Sequence, residues 1–144
     1  MKAKEHLGNL RCLKIKIDQK KEQLKELELL RGSLGSLDYS KERVQTSVDG
    51  NKVENDTLKI LLLESEIKDD MIAFEIEKDK MIREIHMLKN ADYIRLLFKR
   101  YVEFKSLEKI AVEMNYTYQY VRELHGYALQ EFETTYTNLQ TKML

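Results

Sequence analysis

Apolar side chains recur at Leu10, Leu13, Ile17, Leu24, Leu27 and Leu34 in steps of three and four residues, with Lys20 and Arg31 at the missing seam positions. That period predicts an amphipathic, heptad-patterned helix over residues 2–34. It breaks at Gly32-Ser33-Leu34-Gly35-Ser36, where glycine removes helix propensity and permits left-handed backbone angles. From Gly35 to Lys52, isolated apolar residues stand among Ser, Thr, Asp and Gly, including the turn-forming Asp49-Gly50, so residues 35–52 read as a flexible linker. A more regular period follows. Val53, Ile60, Ile67, Phe74, Met81 and Leu88 are seven apart, joined by Met71 and Ile85, and predict a long helix over residues 53–90. Ile60, Ile67, Met71, Phe74, Met81 and Ile85 are the expected oligomerisation residues, in a seam that serves either an intramolecular hairpin or a dimer. A second stripe, Leu58, Leu61, Leu62, Ile72, Ile76 and Ile82, widens the apolar face and predicts more than one neighbour for this helix.

The pattern shortens after residue 91. Residues 92–104 read as a short helix opened by an Asp or Asn cap, with Ile94, Leu97, Phe98 and Tyr101 on one side. Ser106 is an N-cap for a helix over Leu107 to Met114, with Glu108 in the first turn, where the helix dipole favours an anion. Asn115 tolerates the left-handed conformation and stops that helix, and Thr117 caps the next, from Tyr118 onward. Two such helices joined by so few residues must cross steeply. Ala111 supplies the small side chain at the crossing, and Ile110, Met114, Tyr116, Val121 and Leu124 supply the apolar contacts. The expectation is a helix-turn-helix.

Composition narrows the class. Among 144 residues there is no Pro or Trp, and only 5 Gly, which argues for an all-α chain and against sandwiches, propellers and disulfide scaffolds. Charged residues make up 35% but balance to zero, the mixture of a soluble protein with long solvated faces. Cys12 has no partner for an internal disulfide, and His6, His86 and His125 have no neighbours at metal-ligand spacing, so no cofactor or metal is expected. Tyr127, Phe132 and Tyr136 read as packing residues. Met1 to Ile17 lacks a continuous apolar region and the longest aliphatic run is Ile60 to Leu63, so no membrane partner and a cytoplasmic location are expected. Residues 1–34 carry net +4 (nine basic, five acidic) and residues 53–90 net −4 (six basic, ten acidic), so the two long helices are electrostatic complements. Nothing supplies a nucleophile with an oriented base or a phosphate-cradling Gly loop, and no enzymatic activity is expected.

Residues 94–133 resemble region 4 of the primary sigma factors, which reads the −35 promoter element. The resemblance runs through Ser106-Leu-Glu-Lys-Ile-Ala-Val-Glu-Met-Asn-Tyr-Thr117, Val121-Arg122 and Ala128-Leu129. It departs at Tyr118 and Tyr120, where that family has arginines, and at Asn115, where it has glycine. With Ile-Arg-Leu-Leu-Phe-Lys-Arg-Tyr before the motif, Leu124-His125 inside it and the acidic helix upstream, the whole chain is similar to the late-gene transcription regulators of Gram-positive phages, the ArpU and RinA-like group. The resemblance implies coiled-coil-like N-terminal helices, a small sigma-region-4-like helix-turn-helix domain over residues 91–144, and activation of late genes in a bacterial host.

On the second motif helix, Val121, Leu124, Ala128 and Phe132 point inward, while Tyr118, Gln119, Arg122, Glu123 and Gly126 share the other face. A helix in the major groove reads base edges with its N-terminal residues, so Tyr118, Gln119, Arg122 and Glu123 are the candidate base contacts. Gln119 suits adenine, Arg122 guanine, and Glu123 accepts from cytosine or orients Arg122. Lys99, Arg100, Lys105, Ser106, Lys109, Thr117 and Tyr120 are the candidate phosphate contacts. Residues 91–144 are net neutral, which favours joining two weak modules in a homodimer. The expected function is a sequence-specific transcriptional regulator with double-stranded DNA, a second copy, RNA polymerase and a protein modulator as partners. One alternative is an adaptor that touches RNA polymerase or another regulator; another is a small terminase subunit that recognises DNA.

Overall fold

The computed structural model describes the backbone of residues 2–38 and 46–143 and the side chains of residues 2–31 and 54–142. Its secondary structure is all helical: α1 (Ala3–Asp38), α2 (Thr46–Ile85), α3 (Ala91–Leu97), which continues as a π-helical turn (Phe98–Val102), α4 (Leu107–Met114) and α5 (Tyr118–Met143). No described helix is long and apolar enough to cross a membrane.

The helices extend into the expected linker from both sides, since α1 runs to Asp38 and α2 begins at Thr46. Glycines at 32, 35 and 50 cost each helix about 1 kcal/mol per position, yet each added residue still closes a backbone hydrogen bond. They weaken propagation without ending it. Residues 39–45 lie outside the described residues, as do the side chains of the seam positions Leu34 and Val53.

The chain divides into two compact units, Met1–Leu13 with Phe74–Leu144, and Lys14–Ala73, rather than at the boundaries the sequence suggests. In the second unit α1 and α2 run antiparallel. Lys20 Nζ donates to Asp70 at 2.6 Å and lies 3.7 Å from Glu66, while Leu27 and Leu63 share one cleft further along. Ile17, Ile60, Leu63 and Ile67 are buried here. Other apolar side chains of α2 are about half exposed: Leu58, Leu61 and Ile72 on the face turned away from Ile60 and Ile67, Leu62 at the rim of the cleft shared by Leu27 and Leu63, and Met71 at the edge of the seam.

In the first unit, the start of α1 and the end of α2 close a core with the C-terminal helices. Leu7, Leu10, Met81, Ile85, Leu97 and Phe132 are at most 3% exposed in one cluster with Tyr101, Val102 and Ala128. His6 stands at its edge, with Nε2 3.0 Å from Glu84 and the ring 4.8 Å from that of Tyr136. Residues 91–144 therefore do not make their core alone. Of the expected oligomerisation residues, Ile60, Ile67, Met81 and Ile85 are buried within the chain, Phe74 is half-buried and Met71 is exposed. A side chain already dry inside its own subunit gains nothing at a subunit interface, so these four serve intrachain packing.

Candidate nucleic-acid interface

Local rules set the ends of α4 and α5. Asn90 caps α3 by accepting from the amides of Asp92 and Tyr93, so the helix starts at Ala91, one residue before the expected start. Ser106 Oγ accepts from the Lys109 amide at 3.2 Å, and Thr117 Oγ1 accepts from the Tyr120 amide at 3.2 Å. Between them Asn115 adopts the left-handed conformation at φ 60°, and the Tyr116 amide returns to the Ala111 carbonyl at 2.9 Å. Ser106 and Thr117 thus act as caps, their hydroxyl oxygens occupied by backbone donors. Leu96, Ile110, Ala111, Val121 and Leu124 form the dry crossing between α3, α4 and α5. Tyr116, expected in that crossing, instead turns outward: its hydroxyl donates to Asp92 at 2.9 Å and its ring meets Tyr120 edge-on at 4.8 Å. Asp92 in turn raises the Tyr116 pKa through that hydrogen bond.

Tyr118, Gln119, Arg122, Glu123 and Gly126 are all exposed, while Val121, Leu124, Ala128 and Phe132 of the same helix are buried. The helical period separates the two sets onto opposite faces. The Arg122 guanidinium lies 5.7 Å from the centre of the Tyr118 ring, an arrangement that steadies a long side chain without neutralising it. Tyr127 was expected to pack and is instead 59% exposed, because it falls on the flank of α5 away from Ala128.

The candidate phosphate-binding lysines are placed differently. The π turn ends with the Glu103 amide on the Phe98 carbonyl at 3.1 Å, and Phe104 follows at φ 61°, a left-handed angle that costs a non-glycine residue roughly 1–3 kcal/mol. Arg100 donates to the Lys105 carbonyl at 3.0 Å, and the Lys105 amide reaches the Lys99 carbonyl at 3.0 Å. This fold-back brings both ammonium groups to one oxygen of Glu113, Lys99 at 2.8 Å and Lys105 at 2.7 Å. Lys105 also meets Glu103 at 3.0 Å. The hydrogen bonds from Lys105 and then Lys99 pull the Glu113 carboxyl down to about 2, and the bonds to Glu113 and then Glu103 raise Lys105. Two lysines and two glutamates here sum to zero charge. Arg100 is half-buried against backbone, which leaves Lys109 as the exposed candidate with no ion pair among the described residues.

Glu113 is not legible as a site residue in the sequence. Its partners lie fourteen and eight residues upstream, brought near by a π turn and a left-handed phenylalanine that follow no helical spacing. Nor does any sequence spacing show the pairing of Tyr101 Oη with His125 Nε2 of α5 at 2.8 Å. Burial, then Arg100 and Lys4, lower His125 to about 4, so its ring is neutral near pH 7 and bonds the tyrosine without a buried charge. Burial raises Tyr101, which stays protonated. Among the described residues no three His, Cys, Asp or Glu are grouped to hold a metal ion. No family model, curated protein or solved structure matches the chain.

Proposed function

We propose that the chain is a sequence-specific, double-stranded DNA-binding transcriptional regulator of phage or mobile-element late genes, with α4 and α5 as its helix-turn-helix. One observation carries this reading: Tyr118, Gln119, Arg122 and Glu123 stand together on the solvent side of the first turns of α5, supported from behind by Val121 and Leu124. Solvated faces of ordinary helices also carry charge, but here a short capped helix and a left-handed turn leave the outward side of the first turns of α5 exposed, as groove insertion requires. Selection of duplexes from a random pool should recover a common sequence. On it Arg122→Ala and Gln119→Ala should each lose about 1–3 kcal/mol and relax preference at one base pair. Equal binding of parent and both variants to selected and scrambled duplexes would sink the reading.

Homodimerisation belongs to the same proposal, since two half-sites offset a neutral module. The half-exposed side chains of α2 in the second unit, Leu58, Leu61, Leu62 and Ile72, are the apolar surface that supports it. Leu61→Asp with Leu62→Asp should lower the mass measured by light scattering to that of one chain, with helix content retained. Val112, 77% exposed on α4, and the exposed Tyr116 and Tyr120 favour a second reading, an adaptor that contacts RNA polymerase or another regulator. It gains ground if the parent protein selects no duplex.

A further inference from the structure

Gly126 lies inside the 26-residue α5, where glycine is the least favourable residue other than proline. A glycine at a helical position can serve backbone freedom, close packing inside the fold, or something that approaches from outside. The first reason is absent, because no described glycine has a positive φ. So is the second: a Cβ added at Gly126 would meet nothing within 4 Å. The position is exposed and points away from the packed side of α5, four residues after Arg122 and three after Glu123. Going along the outward face, long side chains at Gln119, Arg122 and Glu123 give way to bare helix at Gly126.

Resting on the DNA-binding reading, we propose that Gly126 is a close-approach point, where the wall of the major groove comes against the backbone of α5. A helix with its side chains is about 10–12 Å across and the groove about 12 Å wide, so the fit is close and each outward side chain affects how deeply the helix seats. Removing the side chain one turn beyond Arg122 lets the helix seat deeper and tilt. That depth sets the reach of Gln119 and Arg122 to the base edges. Gly126 is thus a positioning residue that acts through those two.

The test uses two opposed readouts. Gly126→Ala should raise Tm by about 2–5 °C, since alanine is the better helix former and nothing obstructs its methyl group. The same variant should bind the duplex selected by the parent roughly tenfold more weakly, with a smaller loss on a scrambled duplex, and Gly126→Leu should weaken binding further. A residue with a merely structural role would move stability and binding together. A stabilised Gly126→Ala that binds the selected duplex as tightly as the parent overturns the inference and leaves the DNA-binding reading standing. Failure of the parent itself to select any duplex removes that reading, and the inference falls with it.

Discussion

Leu10→Ala is expected to destabilise the first compact unit by about 2–5 kcal/mol, the usual cost of a cavity left by a fully buried leucine. Leu10 is 0% exposed and shares its cluster with Leu97, Ala128 and Phe132. The loss should therefore register more than a hundred residues away. Hydrogen exchange would show amides near Ala128 and Phe132 in α5 losing protection, alongside a lower midpoint in denaturant. If residues 91–144 formed an autonomous domain, the exchange of α5 would stay at the parent's level, and that result would refute the shared core.

Glu113→Gln should tighten DNA binding rather than weaken it. The carboxylate holds Lys99 at 2.8 Å and Lys105 at 2.7 Å, so its removal frees Lys99 to meet phosphate and leaves Lys105 with Glu103 alone, at 3.0 Å. Each phosphate neutralised adds about 0.9 to the slope of log affinity against log salt, so the slope should steepen by about 1–2 units and low-salt affinity should rise about tenfold or more. The gain should be equal on selected and scrambled duplexes, because phosphates carry no sequence information. In the Glu113→Gln background, Lys99→Ala should return about one unit of slope, whereas in the parent it should change little. An unchanged slope in Glu113→Gln would mean that neither lysine faces the duplex.

What could be read from the residues alone was what short-range physics decides. Ser106, Asn115 and Thr117 each satisfy or redirect backbone groups within three residues, so the bounds of α4 and the start of α5 match expectation. The seven-residue repeat from Ile60 to Leu88 likewise marked the inward face of α2, though not which chain it would face. The rest depends on distance in the sequence. The repeat in α1 starts at Leu10, and nothing about Ala3 or Leu7 in the sequence shows that partners of theirs lie in α5. The π turn at Phe98–Val102 has no residue signature, so the helix expected over 92–104 ends early and the ion cluster around Glu113 could not be foreseen. Two long helices did follow from periodicity, but the division into compact units followed from packing.

The joining of the chain's first helix to its last sets an order on folding. His6 stacks 6.0 Å from Phe132, and Leu7 and Leu10 sit in the same cluster, so this core needs residues separated by more than 120 positions. At a synthesis rate of roughly 5–20 residues per second, Leu7 emerges about 6–25 seconds before Phe132 exists. During that interval the first turns of α1 can pack on Met81 and Ile85 of α2, but the side that meets Phe132 remains apolar and uncovered. Contacts of such separation carry a large loop-closure cost and slow the final step. A nascent chain thus carries an uncovered apolar edge on α1 until α5 is made, the period in which a chaperone or a neighbouring nascent copy has most opportunity to bind it.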